Sequence, residues 1–254
     1  MALLELRGVR KSFGGLRVLD DVDLTVEAGV VHALIGPNGS GKTTLLNCVS
    51  GILAPDAGAV HLGDERIDAL RPSRRAVLGL GRTFQNIRLF GELTVLENVL
   101  VGRHCRTRAG LLRAWCRPPF RRLREEVEAE ALARVLLARV GLEHRAAVAA
   151  AGLPLADQRR LEIARALAME PRLVLLDEPA AGMNATEKLG VNRLIRDIVA
   201  DGRTVVLVEH DIGLVMEVSN RVTVLNFGRK IAEGPPAEVR RDRQVIEAYL
   251  GQEP

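Results

Sequence analysis

Gly36-Pro37-Asn38-Gly39-Ser40-Gly41-Lys42-Thr43 fits the pattern GxxxxGK[ST] and constrains this chain more than any other segment. The apolar run VVHALIG precedes it and the helix-patterned KTTLLNCVSGIL follows. Strand, glycine-rich turn and helix are the context in which such a run cradles phosphate, and they decide against an ordinary glycine turn. Glycines let successive backbone N–H groups turn inward around an anion without Cβ clashes. The helix that follows points its positive dipole end at the same place. Lys42 reaches phosphate oxygens as a point charge, and the Thr43 hydroxyl suits a divalent cation such as Mg²⁺.

A phosphate cradle needs a carboxylate for the metal and a group that positions water. Leu173-Val174-Leu175-Leu176-Asp177-Glu178 places two acids at the end of a continuous apolar run. Ligands of parallel sheets bind beyond the carboxyl ends of the strands, so both acids are expected beside the cradle, pointing differently. Asp177 would hold the metal through water, and Glu178 would orient or deprotonate the attacking water. The plainer reading, two solvated acids, loses weight beside the cradle. His210 ends the next such run, VVLVEH, and is expected at the same sheet edge.

The rest of the pattern organises around these pieces. LLELRGV, VDLTVEAG and VVHALIG read as strands, and GAVHLGDERI as a hairpin. From about Ala69 to Ala168 the pattern is almost wholly helical, with a capping box at Thr94 and Glu97 and a stop at Gly141. Strands return at RLVLLDEP, TVVLVEH and RVTVLNFG, alternating with the helical ATEKLGVNRLIRDIVADG and DIGLVMEV. LVLL and VVLV suit parallel strands buried on both faces. The predicted fold is α/β: a P-loop NTPase core over 1–85 and 161–254, with an antiparallel β edge from the N-terminal strands and an inserted helical subdomain at 86–160.

Composition narrows the function classes. With 47% hydrophobic and 27% charged residues the chain is not disordered. Aromatics at 3% leave no base-stacking platform for single strands, and no nucleic-acid partner is expected. No apolar run reaches the roughly 18 residues of a membrane-crossing helix. MALLELRGVRKSF alternates apolar and charged residues without the apolar stretch of a secretory signal. Cys48, Cys105 and Cys116 lack metal spacing and read as reduced cytosolic thiols, Cys48 in the core. His32, His61, His104 and His144 show no ligand spacing either. The net charge of +4 is concentrated in the arginines between 103 and 124, which suit an anionic headgroup surface or a solvated insertion.

These pieces, in this order, resemble the ATPase subunits of ABC transporters from Leu4 to Leu250. The resemblance implies a nucleotide-binding set of Phe13, Gly36, Pro37, Asn38, Gly39, Ser40, Gly41, Lys42, Thr43 and Thr44. Phe13 in KSFGG would stack on adenine, although a core phenylalanine of the N-terminal sheet reads equally well. Thr43, Gln85 in RTFQNIRLF and Asp177 would hold Mg²⁺, while Lys42, Glu178 and His210 would serve hydrolysis of ATP. Ala180-Ala181-Gly182-Met183-Asn184 matches the D-loop. The branch resembled is that of branched-chain amino acid importers, through QRRLEIARAL, LLDEPAAGMN, VEHDIGLVMEVSNRVTVLNFGRKIAEG and VIEAYLG. Sister systems for urea, short amides or lipopolysaccharide share several of these segments, and soluble ABC machines or a non-hydrolysing scaffold remain open. The implied partners are a second ATPase subunit, two transmembrane permease subunits and a periplasmic substrate-binding protein. The implied location is the cytoplasmic face of the membrane.

One segment departs from that family. Where its signature reads LSGGQ, this chain has Leu153-Pro154-Leu155-Ala156-Asp157. Pro154 lacks hydroxyl and N–H, and Ala156 puts a Cβ where backbone should approach phosphate. Asp157 is expected to cap the following helix and to repel a nearby phosphate. The expectation is an asymmetric dimer with a different partner chain, in which the site completed by this segment binds ATP and hydrolyses it slowly.

Overall fold

The structure, a computed structural model, describes residues 1–104 and 124–250. The chain begins with two long strands, β1 (Ala2–Phe13) and β2 (Leu16–Glu27), joined by a tight turn at Gly14-Gly15. Next come β3 (Val31–Ile35), α1 (Lys42–Ser50), β4 (Ala57–Leu62) and β5 (Glu65–Arg66). Then follow α2 (Pro72–Val77), β6 (Leu80–Arg82), α3 (Val95–Arg103), α4 (Arg124–Arg139) and α5 (Leu155–Leu167). The second half runs β7 (Leu173–Asp177), α6 (Ala185–Ala200), β8 (Thr204–Val208), α7 (Ile212–Val218) and β9 (Arg221–Asn226). It closes with β10 (Arg229–Gly234), α8 (Pro236–Val239) and α9 (Arg243–Leu250).

Two sheets result. One is antiparallel, ordered β2-β1-β4-β5; the other is ordered β10-β9-β3-β8-β7-β6 and is parallel except at the β10–β9 edge. β3, β7 and β8 are buried along their whole length, as strands covered on both faces must be. β8 lies between β3 and β7, so the loops leaving their carboxyl ends converge at one edge. β2, by contrast, alternates buried and exposed residues from Asp21 onward, because one face of the antiparallel sheet meets solvent.

Two apolar clusters sit on either side of the main sheet. Leu34, Leu175 and Val206 pack with Leu45, Leu46 and Val49 of α1 and with the inner face of the antiparallel sheet. On the other side, Val174, Leu176, Val205 and Leu207 continue into Leu161 of α5, Leu137 of α4 and Val95 and Val99 of α3. The helical segment therefore shares a core with the sheet. α5 is continuous through position 160.

Local signals behave as the sequence suggests at several places. Thr94 and Glu97 form a reciprocal capping box at α3, and Asn184 with Glu187 forms another at α6, each contributing roughly 1 kcal/mol. Gly141 takes φ +74° just past α4. Cys48 is buried, and burial pushes its thiol up to about 11. Cys105, Cys116 and most of the arginine-rich stretch lie outside the described residues.

One reading needs correction. The segment from Ala69 to Ala168 is not almost wholly helical: β6 pairs in parallel with β7 inside it, and irregular chain separates β6 from α3. Three residues, Leu80-Gly81-Arg82, are too short to show a period, and neighbouring β7 supplies the pairing that makes them a strand. RKIAEG forms β10, a strand the sequence pattern did not announce because its charged residues hide the period; an edge strand needs only one paired side.

Candidate functional site

The GxxxxGK[ST] run leaves β3 and enters α1 as a compact loop. Gly36 has φ +149°, and a Cβ there would lie 2.1 Å from the Leu225 carbonyl oxygen, so only glycine fits beside β9. Gly39, at φ +76°, meets no atom within 4 Å of an added Cβ. That side of the loop faces open space, as a phosphate cradle requires. The Gly228 N–H donates to the Ser40 carbonyl at 3.0 Å and braces the loop from the turn after β9. Lys42 curls back over the loop, donating to the carbonyls of Gly36 at 2.6 Å and Pro37 at 2.8 Å. Burial lowers its pKa, and the charges of Glu178 and Asp177 oppose that shift.

A cleft of about 260 Å³ opens over this loop. Asn38 to Thr44 line it on one side, and Gln85, Glu178 and His210 on the other. Residues far apart in sequence thus meet at the shared edge of β3, β7 and β8. Glu178 is the hub: its Oε1 accepts from Gln85 Nε2 at 3.1 Å and lies 2.6 Å from His210 Nε2. Glu178 also adopts φ +50°, a conformation uncommon for a residue with a Cβ. Its N–H donates to the Val208 carbonyl at 2.9 Å, which fixes the strained turn against β8.

Asp177 ends β7 just behind the cleft, with its side chain 1% exposed. Burial raises its pKa, against the opposing pull of Arg82, whose Nη2 lies 3.3 Å from Oδ2. The second oxygen, Oδ1, is buried and unpartnered. A buried carboxylate oxygen without a donor is costly, and a bound cation or its water is the chemistry that would satisfy it. The set of Thr43, Gln85 and Asp177 offers only oxygen ligands, which suits Mg²⁺.

Phe13 stands apart from the cleft. It lies at the hairpin end of β1, 45% exposed, with Lys11 Nζ 5.6 Å from its ring centroid, so the core-phenylalanine alternative is excluded. Val18, on the neighbouring strand, does border the cleft.

Leu153 to Asp157 also lie outside this cleft, at the start of α5. Here the structure corrects the reading of Asp157. Pro154 occupies the N-cap and no side-chain cap bond forms, so Asp157 falls in the first turn instead. Its buried carboxylate is held by Arg145, at 3.0 Å, and by Arg160. Two guanidinium groups offset the charge that was expected to repel phosphate. Leu153 and Ala156 are buried, whereas Leu155 is 49% exposed.

Sequence reasoning missed three residues that shape the site. Thr83 Oγ1 accepts from the Asp177 N–H at 3.2 Å. Arg82 pairs with Asp177, and Glu209, buried behind the cleft, accepts the Ala180 N–H at 2.8 Å. The signal for Arg82 and Thr83 was proximity to Gln85 in RTFQ. For Glu209 it was a charged residue inside the apolar VVLVEH. Among the described residues no group of three or more histidine, cysteine or acid side chains is placed to hold a metal ion.

Known proteins resemble this chain over nearly its whole length. Residues 19–181 match the family model for ABC transporters, and residues 229–254 match the model for branched-chain amino acid ATP-binding cassette transporters. The chain is 41% identical over 254 residues to LivG of Escherichia coli, a high-affinity branched-chain amino acid transport ATP-binding protein, covering 98% of each chain. It is 42% identical over 251 residues to BraF of Pseudomonas aeruginosa, of the same description, again covering 98% of each. A nucleotide-free ATP-binding cassette from an ABC transporter superposes with a TM-score of 0.86 at 30% identity, covering 99% of this chain and 100% of that one. A cassette in its ADP conformation matches equally, with a TM-score of 0.86, 31% identity and the same coverage of both chains. With the phosphate loop, the paired acids and the histidine in one cleft, this chain belongs to the ATP-binding subunits of the ABC transporter family and is an ATPase.

Proposed function

We propose that this chain hydrolyses MgATP to power an importer of branched-chain amino acids. The observation that carries the hydrolytic part is the Gln85–Glu178–His210 cluster facing the phosphate loop. Glu178 Oε1 would serve as the base or water-orienting group, and His210, 2.6 Å away, would hold it in place. Lys42 would leave its loop carbonyls for the β- and γ-phosphates. Thr43, Gln85 and Asp177 would hold Mg²⁺, which supplies neutralisation of the charge developing on the phosphate oxygens. Val18 would border the adenine end, Phe13 would reach adenine only from outside the cleft at the hairpin end of β1, and Thr44 would reach phosphate from the first turn of α1.

Substrate identity rests on the relatives, whose descriptions name branched-chain amino acids, and on the short matching segment at 229–254. Labelled leucine uptake should collapse when Glu178→Gln replaces the wild-type chain in its native cells. Unchanged leucine uptake with lost urea or amide uptake would move the assignment to a sister system.

The chain would act at the cytoplasmic face of the membrane. Among the described residues no helix is long and apolar enough to cross a membrane, so attachment would come through two permease subunits. A groove of about 610 Å³ supports this, lined by Val77, Phe84, Phe90 and Val101 together with Arg88 and Arg165. Val77, Phe90 and Val101 are each at least 40% exposed there. With a catalytic core at 1–85 and 161–254 and a helical part at 86–160, this groove would lie along the junction. A periplasmic binding protein would deliver the substrate.

The Leu153–Asp157 segment supports pairing with a different ATPase chain, since it offers no serine hydroxyl and fills its glycine position with Ala156. With Asp157 neutralised by its arginines, Ala156 and Pro154 carry the defect. Ala156→Gly, with Asp157 kept, is expected to raise phosphate release by the assembled complex several-fold, up to about tenfold for one restored backbone contact. An unchanged rate from correctly assembled complex would contradict the asymmetry.

A further inference from the structure

We infer that Arg82 is a positioning residue that sets the Asp177 carboxylate for its metal and locks β7 to the phosphate-loop helix. The inference rests on the reading of Asp177 as a metal-holding group. Arg82 ends β6, and its side chain is only 6% exposed. One arm of the guanidinium, Nη2, lies 3.3 Å from Asp177 Oδ2. The other arm, Nη1, donates to Asn47 Oδ1 at 2.8 Å and Ser50 Oγ at 2.6 Å, both on α1. α1 begins with Lys42 and Thr43, so one planar group spans the two elements that carry the metal candidates.

The consequence for Asp177 is geometric. Arg82 engages Oδ2 and so orients the carboxylate, while the Asp177 N–H bond to Thr83 Oγ1 anchors the backbone; Oδ1 is the oxygen left without a partner. Residues that hold a metal-ligating carboxylate by its second oxygen typically change metal affinity 10–100-fold when removed. Arg82 Nε is buried and unpartnered, and a buried ion pair with an unmet donor contributes little net stability. Lysine substitutes only in part, because a single ammonium lacks the planar fork that reaches α1 and β7 together.

The test uses the full-length chain and a fluorescent ATP analogue, titrated with Mg²⁺ and separately bound in EDTA. Arg82→Met should leave affinity in EDTA within about twofold and raise half-saturating Mg²⁺ about 10–100-fold. Arg82→Lys should fold and give a smaller shift in the same direction, and it carries the test if the methionine variant does not fold. Wild-type Mg²⁺ dependence in a folded Arg82→Lys and Arg82→Met pair would overturn the inference. So would an equal loss of affinity with and without Mg²⁺, which marks a merely structural role. Asp177→Asn separates the two layers. If it shifts the Mg²⁺ dependence while the Arg82 variants do not, the positioning role fails alone; if it shifts nothing, the reading of Asp177 as metal-holding fails.

Discussion

Glu178→Gln is expected to slow phosphate release by about 10²–10⁴-fold while ATP binding stays intact, the range that loss of a general base produces. Glutamine preserves the volume and can still meet Gln85 and His210. It removes the negative charge and the proton acceptor at the point where Oε1 faces the cleft. The strained φ of +50° is a property of the turn, not of the carboxylate, so the variant should fold normally. Steady-state phosphate release and equilibrium nucleotide binding on the same preparation check this. Wild-type turnover by the variant would assign the water-orienting role elsewhere.

Lys42→Ala is expected to fail earlier, at the nucleotide itself. Losing one preorganised cationic donor to the phosphates costs about 10²–10³-fold in hydrolysis, with weakened binding to match. Stability should change little, because Lys42 is desolvated and its ammonium meets only loop carbonyls and the Ser40 hydroxyl. Lys42→Arg should not restore activity, since a planar fork does not reproduce the point-like ammonium that now meets the Gly36 and Pro37 carbonyls. Nucleotide affinity by calorimetry, alongside thermal unfolding, separates lost chemistry from lost fold. A large fall in melting temperature with normal nucleotide affinity would contradict the assignment.

Both predictions start from residues that sequence alone could place, and the reason is physical. A phosphate loop needs glycines at fixed spacing, and buried parallel strands read as LVLL and VVLV, so Lys42, Asp177 and His210 could be put at one sheet edge before any coordinates. What stayed illegible depended on neighbours. β6 exists because β7 pairs with it, and Arg82 matters because it reaches Asn47, Ser50 and Asp177. No spacing rule announces a side chain that spans two elements. Asp157 was misjudged for the same reason: position in the helix suggested a cap, while Arg145 and Arg160 decide its charge. Phe13 was left between two readings, and its exposure removed the core one.

The most direct test of the account measures phosphate release and labelled leucine accumulation together, in proteoliposomes holding the assembled importer with either the wild-type chain or Glu178→Gln. Phosphate release and leucine accumulation should fall in step in the variant, with nucleotide still bound. Leucine accumulation that persists after phosphate release is lost would contradict the claim that this cleft drives transport.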